Sequence, residues 1–375
     1  MSIARATRPT AFHFTRLLAA ALVCAAATGA ALADIPAALS RATTVSSGDR
    51  DEIADHIAEH AESLGGGDVA RSRNARNALL EPLGRGDVSA AFRQAYARAL
   101  QPTIDRLTSS ADPLTQLTGL RLAGASASEA GVRTLTGYLT SEDDGLRMFA
   151  IGRLERALGT LGTPSGVLGA AATEREAIDA LGGLIERDQN PRMADAAARA
   201  LAPATRLTDP ELLALRQQAI RTLSDASGNR LAGLDHREVS RQELATAVRA
   251  VAIVRLAVAD PNNPPTREAS IAATRLGGDA LGLVLAMVRS GAAPADRTLL
   301  VQLTQAAETA VYFGRFGFAR AANGDVSSIQ QTALGSLIEQ ADDGRYRNEV
   351  IRLLGPASAP VREMGLDADR FIRDI

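Results

Sequence analysis

Two histidines and a glutamate lie close together near the start of the chain, in the string His56-Ile57-Ala58-Glu59-His60. On an α-helix, residues four apart lie on the same side, so both imidazoles could face one zinc ion with a carboxylate between them. A catalytic zinc site also needs a third protein ligand and a water that the metal activates. The string therefore supplies part of a metal site.

This string resembles the H-x-x-E-H motif of the inverted zinc peptidases, which implies a metal-dependent hydrolase that uses His56, Glu59 and His60. In that family the motif lies in a mixed α/β domain, which this sequence does not indicate. Because His60 shares an apolar helix face with Ile53 and Ile57, we expect a structural helix with one packed and one solvated histidine. We expect no metal and no cofactor; zinc capture by the histidine pair remains the alternative, with or without hydrolysis.

Aromatic residues and arginines are concentrated in a second segment near residue 315, although the whole chain has only 8 Phe and 4 Tyr. Aromatic side chains on a partly exposed ridge are common interaction anchors. Gly314 and Gly317 would let a partner or a neighbouring helix come close. The segment therefore predicts either core packing between two repeats or a protein-interaction patch. That patch would consist of Tyr312, Phe313, Arg315, Phe316, Phe318 and Arg320.

The rest of the sequence carries no catalytic signature. There is no Gly-x-Ser-x-Gly elbow and no phosphate-binding loop, and the absence of lysine excludes Schiff-base chemistry. We therefore expect a protein that is not an enzyme.

The first 33 residues have the features of a secretory signal peptide. Three arginines and no acidic residue precede Asp34, and the Ala/Leu-rich run Leu17–Ala33 ends in an A-x-A cleavage signature. We predict a signal peptide of residues 1–33 and export to the periplasm or the medium. Cys24, the single cysteine, lies inside it, so the mature chain would be cysteine-free and could not rely on disulfides.

Charge and hydropathy limit the partners of the mature chain. The whole chain has a formal net charge of −2, and removal of the arginine-containing leader makes it more acidic. Nucleic acid would require a basic excess, so we expect none as a partner. No later stretch is long and apolar enough to cross a bilayer, so we expect no integral membrane segment in the mature chain.

The elements that carry these residues are predicted to be helices. Good helix formers dominate, and a pattern of apolar-Arg-x-x-Ala/Val-Ile-x-x-Leu recurs. Its first, fifth and ninth residues share one helix face, while the arginines (Arg147, Arg216 and Arg249) could reach carboxylates on adjacent repeats and tie repeats together. Asp143 and Asp342 precede two copies and could cap their helices. The copies are 146–154 (LRMFAIGRL), 215–223 (LRQQAIRTL), 248–256 (VRAVAIVRL) and, loosely, 346–354 (YRNEVIRLL).

The starts of these copies differ by nearly whole multiples of roughly 33 residues, a period of helical repeat arrays. The pattern resembles HEAT-like repeats over about residues 111–360. The resemblance implies an all-α fold, an α-α superhelix whose concave surface usually binds proteins. We predict a helical N-terminal cap region over residues 34–110 and HEAT-like repeats with a C-terminal cap over 111–375. The expected function is a non-enzymatic scaffold for protein–protein interaction in the cell envelope, or else a structural envelope-associated protein.

Overall fold

The computed structural model describes residues 34–65, 68–163, 171–291 and 297–372, and the predicted signal peptide of residues 1–33 lies outside them. These residues form α-helices and short 3-10 turns, with no strand among them. The first helices are α1 (Ala37–Ser40), α2 (Ser47–Ala61), α3 (Val69–Gly84), α4 (Ala90–Thr108), α5 (Pro113–Ser126), α6 (Glu129–Gly137), α7 (Asp144–Leu158), α8 (Ala171–Arg187) and α9 (Pro191–Leu201). The others are α10 (Leu213–Gly233), α11 (Arg241–Val258), α12 (Arg267–Arg289), α13 (Arg297–Ala321), α14 (Leu334–Glu339), α15 (Asp343–Leu354), α16 (Ala359–Met364) and α17 (Ala368–Phe371).

Side-chain caps explain where many helices begin. Ser46 and Asp49 form a reciprocal capping box at the start of α2. The carboxylate of Asp143 accepts hydrogen bonds from the backbone N–H groups of Gly145 and Leu146, and Asp342 caps α15. The first N–H groups of a helix have no partner within the helix, so these caps satisfy them. The predicted aspartate caps are confirmed.

The helices pack in two layers, and each helix contacts the next but one along the chain. One layer follows the order α2, α4, α6, α8, α10, α12, and the other follows α3, α5, α7, α9, α11, α13. A continuous core of Ala, Leu, Ile and Val side chains lies between them. At the C-terminal end, α14 packs on α13, while α15 and α17 pack on α12. The fold is thus an all-α superhelical array of helices, as the sequence predicts.

Helix α12 is the one helix of the described residues that is long and apolar enough to cross a membrane. Of the apolar window in α12, 72% is buried inside the fold. A core helix of a soluble protein passes the same test of length and composition, so this observation is weak support for a membrane span.

The recurring pattern marks buried helix faces in three of its four copies. Leu146, Ala150 and Leu154 are buried, and the corresponding residues of the copies in α10 and α15 are buried as well. In α11 the predicted face is wrong, because Val248 is half-buried and Leu256 is 52% exposed. That helix buries other residues, such as Val251 and Val254.

The spacing of the copies is not the length of a repeat. The copies in α7 and α11 belong to one layer, whereas the copy in α10 belongs to the other. Helices of the second layer begin at 69, 113, 144, 191, 241 and 297, at unequal intervals. The near-integer multiples of 33 therefore arise by coincidence from helices with different positions in the array.

Buried arginines join the ends of helices in different layers. Arg216 of α10 is 1% exposed and donates to the carbonyl oxygens of Thr205 (3.1 Å), Asn263 (2.6 Å) and Ala257 (2.7 Å). Ala257 lies in the last turn of α11, where carbonyl groups lack partners within the helix and the helix dipole favours a positive charge. The carboxylate of Asp260 lies farther away, 3.5 Å from Arg216. Arg216 therefore links elements mainly through carbonyl groups.

The same interaction recurs along the chain. Arg93 of α4 donates to Leu83 and Ala125, which lie in the last turns of α3 and α5. In three further examples an arginine side chain donates a hydrogen bond to a backbone carbonyl oxygen: Arg106 to Ala61, Arg230 to Ile185 and Arg297 to Ile338. Each pair brings an arginine to the C-terminal end of another helix. Arg93 joins the two layers in this way, whereas Arg106 and Arg230 join neighbouring helices of the same layer.

The other two pattern arginines form ion pairs between helices. Arg249 of α11 contacts Asp195 of α9 at 2.6 Å. Arg147 lies 3.5 Å from Asp188, which follows α8, and donates to the carbonyl oxygen of Ser141. The geometry agrees with the predicted role of these side chains as links between neighbouring elements.

Replacing Arg216 with methionine should lower the free energy of unfolding by about 3 kcal/mol, since several buried carbonyl groups would lose a charged donor. Urea denaturation would measure this change. Arg221→Met is the matched control, because it removes an exposed arginine of the same helix. This control should change the free energy of unfolding by less than about 0.5 kcal/mol. Equal effects of the two substitutions would contradict the linking role of Arg216.

Candidate functional site

The histidine pair predicted as a metal site lies inside the fold. His56 and His60 are 3% and 5% exposed, and their rings meet edge to face with centroids 4.8 Å apart. The ring of His56 also lies 6.3 Å from that of Tyr96 on α4. The expectation of one packed and one solvated histidine is wrong, because both rings lie on the face of α2 that packs on α4.

The third residue of the string lies apart from this pair. Glu59 is exposed, whereas both imidazoles are buried, so the carboxylate lies on another side of the helix. Within the described parts of the chain, no group of three or more His, Cys, Asp or Glu side chains is placed to hold a metal ion. Burial, and then the charge of His56, lower the pKa of His60, which favours a neutral imidazole. Zinc binding by this pair remains a hypothesis.

The aromatic segment is divided between the core and the surface. Val311 and Phe318 are buried, and Gly314 and Gly317 allow close approach of α12 and the turn before it. A Cβ atom at Gly317 would lie 2.7 Å from Cγ of Pro265. This side of α13 fills the contact between adjacent helices, as one of the two sequence interpretations predicts.

The other side of α13 is partly exposed. Tyr312 and Phe316 are half-buried, with ring centroids 6.4 Å apart, and Phe313 lies 5.0 Å from Tyr312. Arg320 is exposed. Arg315 is half-buried and lines a cleft of about 390 Å³, and burial lowers its pKa. These side chains form an aromatic ridge, which stays a candidate interaction patch.

A third surface has no counterpart in the sequence analysis. Five arginines from three consecutive helices of one layer lie along two adjoining clefts. One cleft, of about 340 Å³, is lined by residues of α3 and α5, and the other, of about 640 Å³, extends to α7. Arg121 lines both clefts, so the surface is continuous. We call these residues the arginine row: Arg73 and Arg76 of α3, Arg121 of α5, and Arg153 and Arg156 of α7.

Acidic side chains balance few of the positive charges of the arginine row, since Asp112 is the one acidic residue among those that line the two clefts. In the part of the chain that the structure describes, no ion pair joins any of the five to a carboxylate. Burial, and then repulsion from Arg121 and Arg73, lower the pKa of Arg76. Burial, and then repulsion from Arg156 and Arg121, lower the pKa of Arg153. The guanidinium groups are thus close enough to repel one another.

Packing holds the central arginines in place. The guanidinium carbons of Arg121 and Arg153 lie 5.7 and 4.7 Å from the centre of the Phe149 ring, within the range of cation–π contacts. The stem of Arg153 packs on Gly124, where an added Cβ atom would lie 2.7 Å from its own Cβ. Gly124 on α5 and the Phe149 ring on α7 therefore hold the guanidinium groups of Arg121 and Arg153 beside the same ring.

Two exposed apolar side chains lie beside the first cleft. Val69 and Leu114 are 71% and 73% exposed, and both line the cleft between α3 and α5. They stand at the N-terminal ends of these helices. The surface therefore combines apolar side chains with the arginine row. The layer order brings these residues together, so no local motif in the sequence could have revealed them.

Comparisons with known proteins give only weak likenesses. No protein-family model and no curated protein matches the chain. Among solved structures, it resembles two crystal structures of engineered proteins from the Northeast Structural Genomics Consortium. One is 18% identical, covering 70% of this chain and 97% of the other, with a TM-score of 0.40. The second is 16% identical, covering 89% and 92%, with a TM-score of 0.31. Neither likeness bears on function.

Burial of His60 should make stability depend on pH. Its pKa in the folded state lies below the ordinary value of 6.5, so the unfolded state binds the proton more readily as pH falls below that value. The free energy of unfolding should therefore decrease from about pH 7.5 to about pH 5.5 more in the wild type than in His60→Leu. Urea denaturation at both pH values measures this, and identical pH dependence in the two proteins would refute it.

Gly314→Ala should lower the free energy of unfolding by about 1–3 kcal/mol, because a methyl group would collide with the helix packed on α13. The new atom would lie 2.9 Å from the carbonyl oxygen of Ser270. Gly137→Ala is a suitable control, since no atom lies within 4 Å of its added Cβ. Thermal unfolding of both variants tests the close packing of α12 and α13. A Gly314 variant as stable as the wild type would exclude it.

Proposed function

We propose that this chain is a non-enzymatic helical-repeat scaffold that is exported and binds another protein in the cell envelope, in the periplasm or after secretion. The observation that carries the proposal is the pair of exposed apolar side chains, Val69 and Leu114, at the cleft between α3 and α5. Large apolar side chains exposed together beside a cleft are typical of protein-interaction sites.

The fold supports this role because it holds the surface on rigid elements. α3 and α5 pack on each other within one layer, and α5 packs on α4 of the other layer. Buried Arg93 of α4 donates to the C-terminal ends of both α3 and α5. A binding surface held in this way loses little conformational entropy when a partner docks.

A second candidate is zinc binding by the histidine pair in α2. One observation favours it: the Nε2 atom of His60 is buried and has no hydrogen-bond partner. The exposed position of Glu59 argues against the hydrolase that the motif suggests. Metal analysis of the purified mature chain separates the two functions, since stoichiometric zinc that is lost in His60→Leu would favour the metal site.

Affinity capture from native envelopes tests the scaffold proposal. The tagged mature chain should retain a defined protein, and the double substitution Val69→Ser and Leu114→Ser should reduce that yield about tenfold, as expected for the loss of apolar contact area. Circular dichroism should show unchanged unfolding temperatures, because both side chains are exposed.

Leu256→Ser provides the matched control for capture. Leu256 is also an exposed leucine, at 52%, but it lies on α11. The Leu256→Ser substitution should leave the yield of captured partner unchanged. If the double substitution retains the partner as well as the wild type does, the cleft between α3 and α5 is not the binding surface.

A further inference from the structure

We propose that the arginine row binds an acidic segment of a partner polypeptide, which lies along the two clefts from α3 to α7. This inference rests on the proposed scaffold function and specifies the chemistry of its partner.

The arginine row concentrates five positive charges on one surface of the molecule. Elsewhere some exposed arginines are paired with carboxylates on their own helix, as in Arg133 with Glu129 and Arg352 with Glu349, whereas others stand singly on the surface, as Arg221 does. The arginine row has no such pair among the described residues, although the whole chain carries a formal net charge of −2. The five positive charges outnumber the one acidic lining residue, Asp112, so they repel one another, and an acidic ligand would relieve that repulsion.

Two arginines of the row have N–H groups without a hydrogen-bond partner in the fold. The Nε atoms of Arg76 and Arg153 are buried and have no hydrogen-bond partner. The fold offers no acceptor to these two N–H groups, so a ligand in the clefts would be bound through the terminal N–H groups of the same side chains. Contacts with Phe149 and Gly124 already hold the guanidinium group of Arg153, so little side-chain entropy remains to be lost on binding.

The shape of the two clefts suits an extended ligand. The two clefts have volumes of about 340 and 640 Å³ and share Arg121. They therefore form an open groove along three helices, which suits an extended chain with several charges. Val69 and Leu114 at one end would contact apolar side chains of the same segment.

Carboxylates match this surface better than the phosphates of a nucleic acid. The planar guanidinium fork binds carboxylates and phosphates alike with two parallel hydrogen bonds, so the aromatic rings of the site must distinguish the two ligands. Single-stranded nucleic acid is usually held by bases stacked on free aromatic rings, whereas the Phe149 ring has two guanidinium groups next to it.

Fluorescence anisotropy with a labelled deca-glutamate peptide tests the proposal on the mature chain. The peptide should bind at low ionic strength and dissociate as NaCl is added. The double substitution Arg121→Gln and Arg153→Gln should weaken binding about tenfold. Arg221→Gln with Arg237→Gln removes the same charge from exposed positions elsewhere and should leave the affinity unchanged.

Folding of each variant is checked by its unfolding temperature. If the Arg121 and Arg153 substitutions unfold the chain, the exposed pair Arg73→Glu and Arg156→Glu replaces them and should abolish binding. Absence of peptide binding, or equal loss in the control variant, would overturn the proposal. Tighter binding of a deca-thymidylate or of phosphatidylglycerol vesicles than of the peptide would also overturn it, in favour of a phosphate ligand.

The outcomes of this titration are separate from those of envelope capture. A partner that is captured through Val69 and Leu114, together with failure of the glutamate peptide to bind, would preserve the scaffold and refute the acidic segment. Peptide binding without any captured protein would refute the scaffold as proposed and support the arginine row as an anion site.

Discussion

The fold depends on hydrogen bonds from arginine side chains to the carbonyl groups at helix C-termini. Every helix end leaves carbonyl groups without partners inside the helix, and a superhelix of short helices has many such ends. Arg93, Arg216 and Arg230 bring a positive charge and several donors to these places from another helix. Arg93 and Arg216 satisfy carbonyl groups across the two layers, and Arg230 does so between neighbouring helices of one layer. None of the described residues is a cysteine, so no disulfide joins these elements.

Arginine therefore has two roles in this protein, which burial and partners distinguish. Arginines such as Arg216 are buried and donate to several carbonyl groups of the chain itself. The arginine row lies on the surface of α3, α5 and α7, and its members have no carboxylate partner among the described residues. The first group stabilises the fold, and the second forms the site proposed for an acidic ligand. In an otherwise slightly acidic protein, this division concentrates positive potential on one surface.

Local sequence patterns predicted the local structure well. The helices, the aspartate caps and the buried faces of α7, α10 and α15 follow from periodicity and capping chemistry. The buried face of α11 does not follow from the nine-residue pattern, because Ala-rich helices match that pattern in more than one register. Tertiary packing buries a different face of α11. The depth of His56 and His60 and the arginine row depend on which helices become neighbours. Irregular helix and loop lengths decide that order, and a short motif does not record it.

Hydrogen exchange measured by mass spectrometry on the wild type and Arg216→Lys tests most directly whether arginine bonds to helix ends hold the array together. Lysine keeps the charge but lacks the planar fork that reaches three carbonyl groups. Protection should fall around Thr205 and from Ala257 to Asn263, while α4 keeps its protection. Unchanged protection in those segments, or an equal loss throughout the chain, would contradict the account.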